Sequence, residues 1–225
     1  MNCAPEELLA FSIARLVGRA EHVAVGAASP IPATAMFFLA ARDGGRPRVS
    51  LLQKREGNPF TEGSRELFDL AGQGRIDVFF LGGAQIDGEA NINLVEAEGR
   101  RFPGSFGSAF MYPVVPRTIL FREEHSRRAL VPKVEFISAR GDPQALVTGK
   151  AVFAWRKAKR RFRLESVHPG HTAGEVRAGT GFEYDTPAEV PATPAPDAAA
   201  LALLRGPVAK AIAADYPEFA RRVWG

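Results

Sequence analysis

Cysteine is almost missing from this chain: Cys3 is the single thiol among 225 residues. A lone cysteine closes no internal disulfide, so the fold must rest on its own core, and the expected compartment is the cytoplasm. Long hydrophobic runs are missing too, since no stretch approaches the roughly 18 apolar residues of a membrane span. The opening residues Met-Asn-Cys-Ala-Pro-Glu-Glu are acidic, without the basic and apolar regions of a signal peptide, so no leader is expected. Neither sign of charge dominates: 29 Lys and Arg against 25 Asp and Glu leave a net charge of +4. That mild excess suits a polyanionic ligand and does not demand nucleic acid. There is no internal repeat.

What is present is a globular composition, 46% hydrophobic and 24% charged, which can bury a full core. The apolar spacing of Leu8, Leu9, Ile13, Leu16 and Val17 predicts a helix over 5–18, started by Pro5, Glu6 and Glu7. His22 to Gly26 reads as a buried strand. Ser29-Pro30-Ile31-Pro32 reads as irregular, with a helix following over 33–42 and stopped by Asp43-Gly44-Gly45. Arg48 to Gln53 is the second expected strand, 54–63 a polar loop, 64–71 a helix and 76–81 the most apolar strand. This alternation predicts an α/β fold with an open, mostly parallel sheet flanked by helices. Ligands of such sheets sit at the C-terminal ends of the strands. Further strands are expected at 118–122 and 133–138. Residues 145–167 read as an antiparallel hairpin around Arg156-Lys157-Ala158-Lys159, and 172–178 as a short helix. Four prolines make 186–196 a stiff linker, and Asp197 caps a helical tail. The expected division is a domain over 1–185, then linker and tail over 186–225.

Chemistry concentrates in the middle of the chain. Leu81-Gly82-Gly83-Ala84-Gln85-Ile86-Asp87 ends a strand in two glycines, which permits close backbone approach or only a tight exit. Asn91 and Asn93, two apart on an extended segment, point the same way and can donate to an oxyanion, or they bond their own turn. Phe102-Pro103-Gly104-Ser105-Phe106-Gly107-Ser108 exposes successive N–H groups able to cradle a phosphate or oxyanion. It is neither a Walker nor a dinucleotide-binding motif. His125-Ser126-Arg127-Arg128 offers a base and phosphate ligands, or a salt-bridged loop. His168-Pro169-Gly170-His171 lacks the partners of a zinc site and reads as a turn. The basic run Arg156 to Arg163 reads as a solvated face. No Gly-x-Ser-x-Gly elbow supports serine catalysis.

In order and spacing, these pieces resemble the β subunit of family I CoA-transferases, such as glutaconate CoA-transferase, and of related subunits that open steroid-derived rings as CoA thioesters. The matching residues are 81–87, 91–93, 102–108, 125–128, Lys133-Val134-Glu135-Phe136-Ile137, His168-Pro169-Gly170 and Thr180-Gly181-Phe182-Glu183. The resemblance implies a fold shared with sugar-phosphate isomerase-like proteins and a partner α subunit, in a heterodimer or heterotetramer. It implies coenzyme A as a substrate moiety with no permanently bound cofactor or metal, and neither nucleic acid nor membrane as partner. It places Gly82, Gly83, Gln85, Asn91, Asn93, Gly104, Ser105, Gly107 and Ser108 at the oxyanion or CoA site. In the family a β-chain glutamate attacks the acyl-CoA, forming an anhydride and then a glutamyl-CoA thioester. The matching place falls near Leu52, where there is no carboxylate. Gln53 and Glu56 are the nearest candidates, Gln53 isosteric but a poor nucleophile. The ring-opening relatives draw their carboxylate from the partner subunit. The resemblance thus implies a transferase subunit, a ring-opening hydrolase subunit, or a scaffold subunit without chemistry.

Overall fold

A computed structural model gives the structure and describes residues 3–52, 54, 58 and 60–225. Gln53 and Glu56 lie outside the described residues.

In chain order the first elements are α1 (Pro5–Val17), β1 (His22–Val25), α2 (Pro30–Arg42), β2 (Arg48–Leu51), α3 (Ser64–Gly72) and β3 (Val78–Leu81). Four short strands follow: β4 (Gln85–Ile86), β5 (Ile92–Asn93), β6 (Glu96–Ala97) and β7 (Arg100–Arg101). Then come α4 (Ser108–Val114), β8 (Arg117–Arg122), β9 (Ala145–Thr148), β10 (Ala151–Arg156), β11 (Arg161–Val167) and α5 (Ala173–Gly179). The chain ends in α6 (Ala198–Leu203), a single π turn, α7 (Ala209–Asp215) and α8 (Pro217–Trp224). Among the described residues no helix is long and apolar enough to cross a membrane.

Contacts divide the chain into two compact units, Met1–Phe80 with Pro194–Gly225, and Leu81–Thr193. In the first unit β1 pairs in parallel with both β2 and β3. Parallel strands alternating with helices are the α/β architecture that the sequence predicts. All four residues of β1 are buried, as the unbroken run His22-Val23-Ala24-Val25 predicts for a strand covered on both faces. Helix α1 starts as expected: Pro5 needs no partner for its missing N–H, and Glu7 reaches back to the Ala4 N–H at 2.9 Å. Its apolar face packs on α2, with Phe11 and Phe38 edge to face at 5.7 Å. Glu7 is 1% exposed and is bound by Arg205 and by the Trp224 indole N–H, so the C-terminal helices are tied to α1. Asp197 caps α6 as expected, accepting from the Ala200 N–H at 2.8 Å.

In the second unit β8 and β9 are parallel, while β9, β10 and β11 form an antiparallel meander. The expected hairpin is present, its turn a short 3₁₀ segment over Lys157–Lys159. The cations there meet acids: Lys157 and Arg160 reach Asp142, and Lys159 and Arg161 reach Asp185. Thr172 caps α5, its side chain accepting from the Glu175 N–H. The proline-bearing segment runs along β11, with bridges Arg163↔Asp185 and Val167↔Ala192, and covers that strand's edge.

Two expectations are corrected. Helix α2 begins at Pro30, not Ala33, because Pro30-Ile31-Pro32 occupies the first turn, where missing N–H groups cost nothing. Residues 133–138 form no strand. Their polar groups go to individual partners, including Asp87, Gln85 and Ile92, and not to a ladder.

Candidate functional site

Strand β3 leads directly into the Gly- and Asn-rich segment. A Cβ on Gly82 would stand 2.9 Å from the Phe121 carbonyl oxygen, and one on Gly83 2.6 Å from that of Gln85. Only glycine allows the backbone to pass this close to the end of β8 at position 82 and to the backbone of 85 and 93 at position 83. Residues 85–93 then fold back as the two-stranded ribbon β4–β5, pairing Gln85 with Asn93 and Ile86 with Ile92. Its turn holds Ala90 at φ +63°, a conformation that side chains disfavour.

Asp87, 2% exposed, organises that turn. Its carboxylate accepts from the N–H groups of Glu89, Asn91 and Val134 and from the Asn91 side-chain amide, at 3.0–3.2 Å. Gln85 does the same for the ribbon. Its amide donates to Glu135 at 2.6 Å, while its oxygen accepts from the Asn93 side chain at 2.9 Å and the Glu135 N–H at 3.2 Å. Asn93 is fully buried, and both of its amide hydrogens are engaged, by Gln85 and by the Glu96 carbonyl. The Asn91 amide is likewise held by Asp87 and Glu89. Fully paired buried amides fix a backbone path.

The Gly-Ser loop is joined to this frame. Ser108 N–H donates to the Ser105 carbonyl, and Gly107 precedes α4 and accepts from the Phe110 and Met111 N–H groups. Gly104 and Phe106 have positive φ, and Phe106 is 70% exposed. Among the described residues the Gly107 and Ala109 N–H groups meet no backbone acceptor. From α4, the buried Tyr112 hydroxyl donates to the Ala90 carbonyl at 3.0 Å. Burial, reinforced by Asp142 and Asp87, pushes its pKa up, so it stays a donor. The strained Ala90 turn and the Gly107 loop are therefore fastened to each other.

Of the later motif pieces, 180–183 closes on the same frame, while His125 and His168 form a second buried cluster around Thr148. The Gly181 N–H donates to the Leu130 carbonyl at 2.7 Å, and a Cβ on Gly88 would stand 2.9 Å from the Phe182 Cβ. His125 is buried and touches the Thr148 hydroxyl at 2.7 Å, with the Val176 carbonyl and Thr180 hydroxyl at 3.1 Å. His168 is buried between the Thr193 hydroxyl at 2.8 Å and the Thr148 carbonyl at 2.9 Å. Burial pushes the His168 pKa down to about 4 and lowers that of His125. Both imidazoles are structural, with Nε2–H the tautomer that can donate to a carbonyl. Ser126, Arg122 and Arg128 converge on Glu124, which matches the salt-bridged reading of that loop and holds its pKa down at about 2. Among the described residues no group of three His, Cys, Asp or Glu side chains could hold a metal ion.

The structure thus brings together Gly82, Gly83, Gln85, Asn91 and Asn93, and ties them to the loop of Gly104, Ser105, Gly107 and Ser108 through Tyr112 and Ala90. Sequence reasoning quoted Asp87 and Glu135 within their motif stretches without seeing that they join the frame, and it missed Tyr112. Asp87 carried a signal, because an Asp four residues before Asn91 is spaced to close a turn; Tyr112 carried none.

The coenzyme A transferase family pattern matches residues 18–179. The β subunit of the 3-oxoadipate CoA-transferase of Pseudomonas knackmussii is 29% identical over 162 residues, 63% of this chain and 62% of that protein. The β subunit of the glutaconate CoA-transferase of Acidaminococcus fermentans is 27% identical over 150 residues, 57% of this chain and 55% of that protein. The chain thus spans less than two thirds of the length of either relative. Among solved structures, the decarboxylase AibA/AibB superposes with a TM-score of 0.76 at 26% identity, over 91% of this chain and 94% of that one. The chain belongs to the coenzyme A transferase family, and these two relatives within it are β subunits.

Proposed function

We propose that this chain is the β subunit of a heteromeric enzyme that moves coenzyme A between an acyl-CoA and a carboxylic acid. One observation carries the reading: within a chain of this family, the motif pieces 81–87, 91–93 and 133–137 meet in one hydrogen-bonded frame around Asp87 and Gln85, to which Tyr112 fastens the 102–108 loop. In this reading an α subunit is the partner, the complex is cytoplasmic, and coenzyme A enters as a substrate moiety. The Gly82–Gly83 turn and the loop of Gly104, Ser105, Gly107 and Ser108 face the thioester. The N–H groups of Gly107 and Ala109, which meet no backbone acceptor, suit the charge that builds on its carbonyl oxygen. Gln85, Asn91 and Asn93 serve that site by holding the loop, since their amides are engaged within the frame.

A second reading is a subunit that cleaves a C–C bond or hydrolyses a cyclic, steroid-derived acyl-CoA. It is favoured by the likeness to a decarboxylase and by the lack of a carboxylate near Leu52. The two separate in one assay. The chain, co-purified with its α-type partner, is offered acyl-CoAs with and without acetate or succinate. Turnover that requires the acceptor is expected for the transferase; a ring-opened or decarboxylated CoA product formed without any acceptor establishes the second reading instead.

A further inference from the structure

Within the Leu81–Thr193 unit, β8 ends at Arg122 beside an open cleft of about 530 Å3 lined by Arg122, Glu123 and Glu124. This is the C-terminal end of a strand in a parallel pair, where α/β sheets receive ligands. The Gly82–Gly83 turn meets the same strand one residue earlier, at the Phe121 carbonyl. That turn continues into the β4–β5 ribbon, which Tyr112 fastens to the Gly107 loop. Cleft and loop therefore stand on one connected frame inside this unit.

Arg122 is the cation of the cleft, and most of its donors are unspent. A guanidinium carries five N–H donors. One from Nη2 goes to Glu124 at 2.7 Å, and among the described residues the side chain reaches no other acceptor. Its Nε is buried and unpaired, which is costly for a charged donor. Arg161, whose Nε is also unpaired, faces two acids, Asp185 and Glu183. Arg122 has only Glu124, and Glu124 is shared: it also accepts from Ser126 at 2.6 Å and from Arg128 at 3.0 Å. The main chain beneath is fixed, because the Glu123 carbonyl accepts from the Gly149 N–H at 2.9 Å and a Cβ at 149 would collide with it. A fixed, underused guanidinium at a ligand-receiving edge suits a planar carboxylate, which it can grip through two parallel N–H bonds. Glu123 is exposed, and its negative charge in the same cleft disfavours a dianionic phosphate more than a singly charged carboxylate.

We propose that Arg122 binds the carboxylate of the acid substrate that does not react, and so selects dicarboxylic over monocarboxylic acids; this rests on the transferase function proposed above. The reacting end of the acid meets the thioester at the Gly107 loop, and the far carboxylate pairs with the unspent Arg122 donors. No bond is made or broken at Arg122. Its contribution is to affinity and choice of acid: a monocarboxylate of the same length leaves the guanidinium without its partner. Glu123 repels the bound carboxylate, so its charge sets an upper limit on that affinity.

The test uses the chain in complex with its α-type partner. Transfer from the preferred acyl-CoA is measured to succinate and glutarate, and to butyrate and pentanoate, the monocarboxylates of equal length. The wild-type complex is expected to favour the dicarboxylates. Arg122→Gln should raise their KM roughly 10–100-fold, leave kcat and the monocarboxylate KM within about twofold, and keep melting unchanged, since Glu124 retains Ser126 and Arg128. Glu123→Gln should move the dicarboxylate KM the other way, lowering it roughly two- to fivefold. A wild-type complex without preference for dicarboxylates overturns the assignment and leaves the transferase function standing. So does an Arg122→Gln complex that keeps the preference, or that loses both classes of acid equally. A wild-type complex that transfers CoA to none of the four acids overturns both.

Discussion

Two buried polar regions of the Leu81–Thr193 unit are built from different chemistry. Around Asp87 and Gln85 the bonds run between carboxylates, amides and backbone N–H groups, and they set the course of one loop. Around Thr148 two imidazoles, His125 and His168, join the end of β8, the β9–β10 turn and α5 to Thr193. In the first region each buried amide and N–H group is matched by an acceptor, and no imidazole takes part. The second stays intact only while its histidines are neutral. The difference separates a site frame, which aims a loop, from a structural pin with an acid limit.

The largest effect is expected at Asp87. Asp87→Ala leaves three backbone N–H groups and one amide without their acceptor, a loss on the order of 3–5 kcal/mol. Chemical denaturation followed by circular dichroism measures it; a loss below about 1 kcal/mol would break the comparison by showing that the frame does not depend on its hub.

Acid comes next. The folded-state pKa of His168 lies below its ordinary value, so the unfolded chain takes up the proton first as pH falls. The stability is fully present above about pH 6.5 and is lost as pH falls through about 4. A displacement from about 6.5 to about 4 amounts to roughly 3 kcal/mol, and the lowered pKa of His125 acts in the same direction. Denaturation midpoints between pH 7 and pH 4 follow the decline, and His168→Gln should lower stability at pH 7 and flatten the slope. An unchanged slope in that variant assigns the acid limit elsewhere.

Tyr112→Phe is expected to cost least, about 1 kcal/mol, because it removes one hydrogen bond and keeps the packing. It sharpens the comparison by its second readout: loosening the Gly107 loop should lower kcat more than it raises KM.

Legibility followed the same divide. Strands β1 and β3 and helix α1 were plain in the sequence because apolar period and capping residues act locally. The start of α2 was hidden because two prolines read as breakers, although a first turn accepts both. The 133–138 segment alternates like a strand, yet its N–H groups bond to Asp87 and Gln85, some 50 positions earlier, and no local pattern encodes that. The motif residues were legible as a set, and their division into loop holders and exposed loop emerged only from the hydrogen bonds.

The central claim is that the loop around Gly107 faces the reacting thioester. Gly107→Val in the assembled complex tests it most directly, with assembly verified by size-exclusion chromatography and turnover measured on the preferred acyl-CoA. Crowding the loop's N–H groups that meet no backbone acceptor is expected to lower kcat roughly 10²–10³-fold with assembly intact. Turnover equal to wild type would contradict the account and leave this chain a scaffold for its partner.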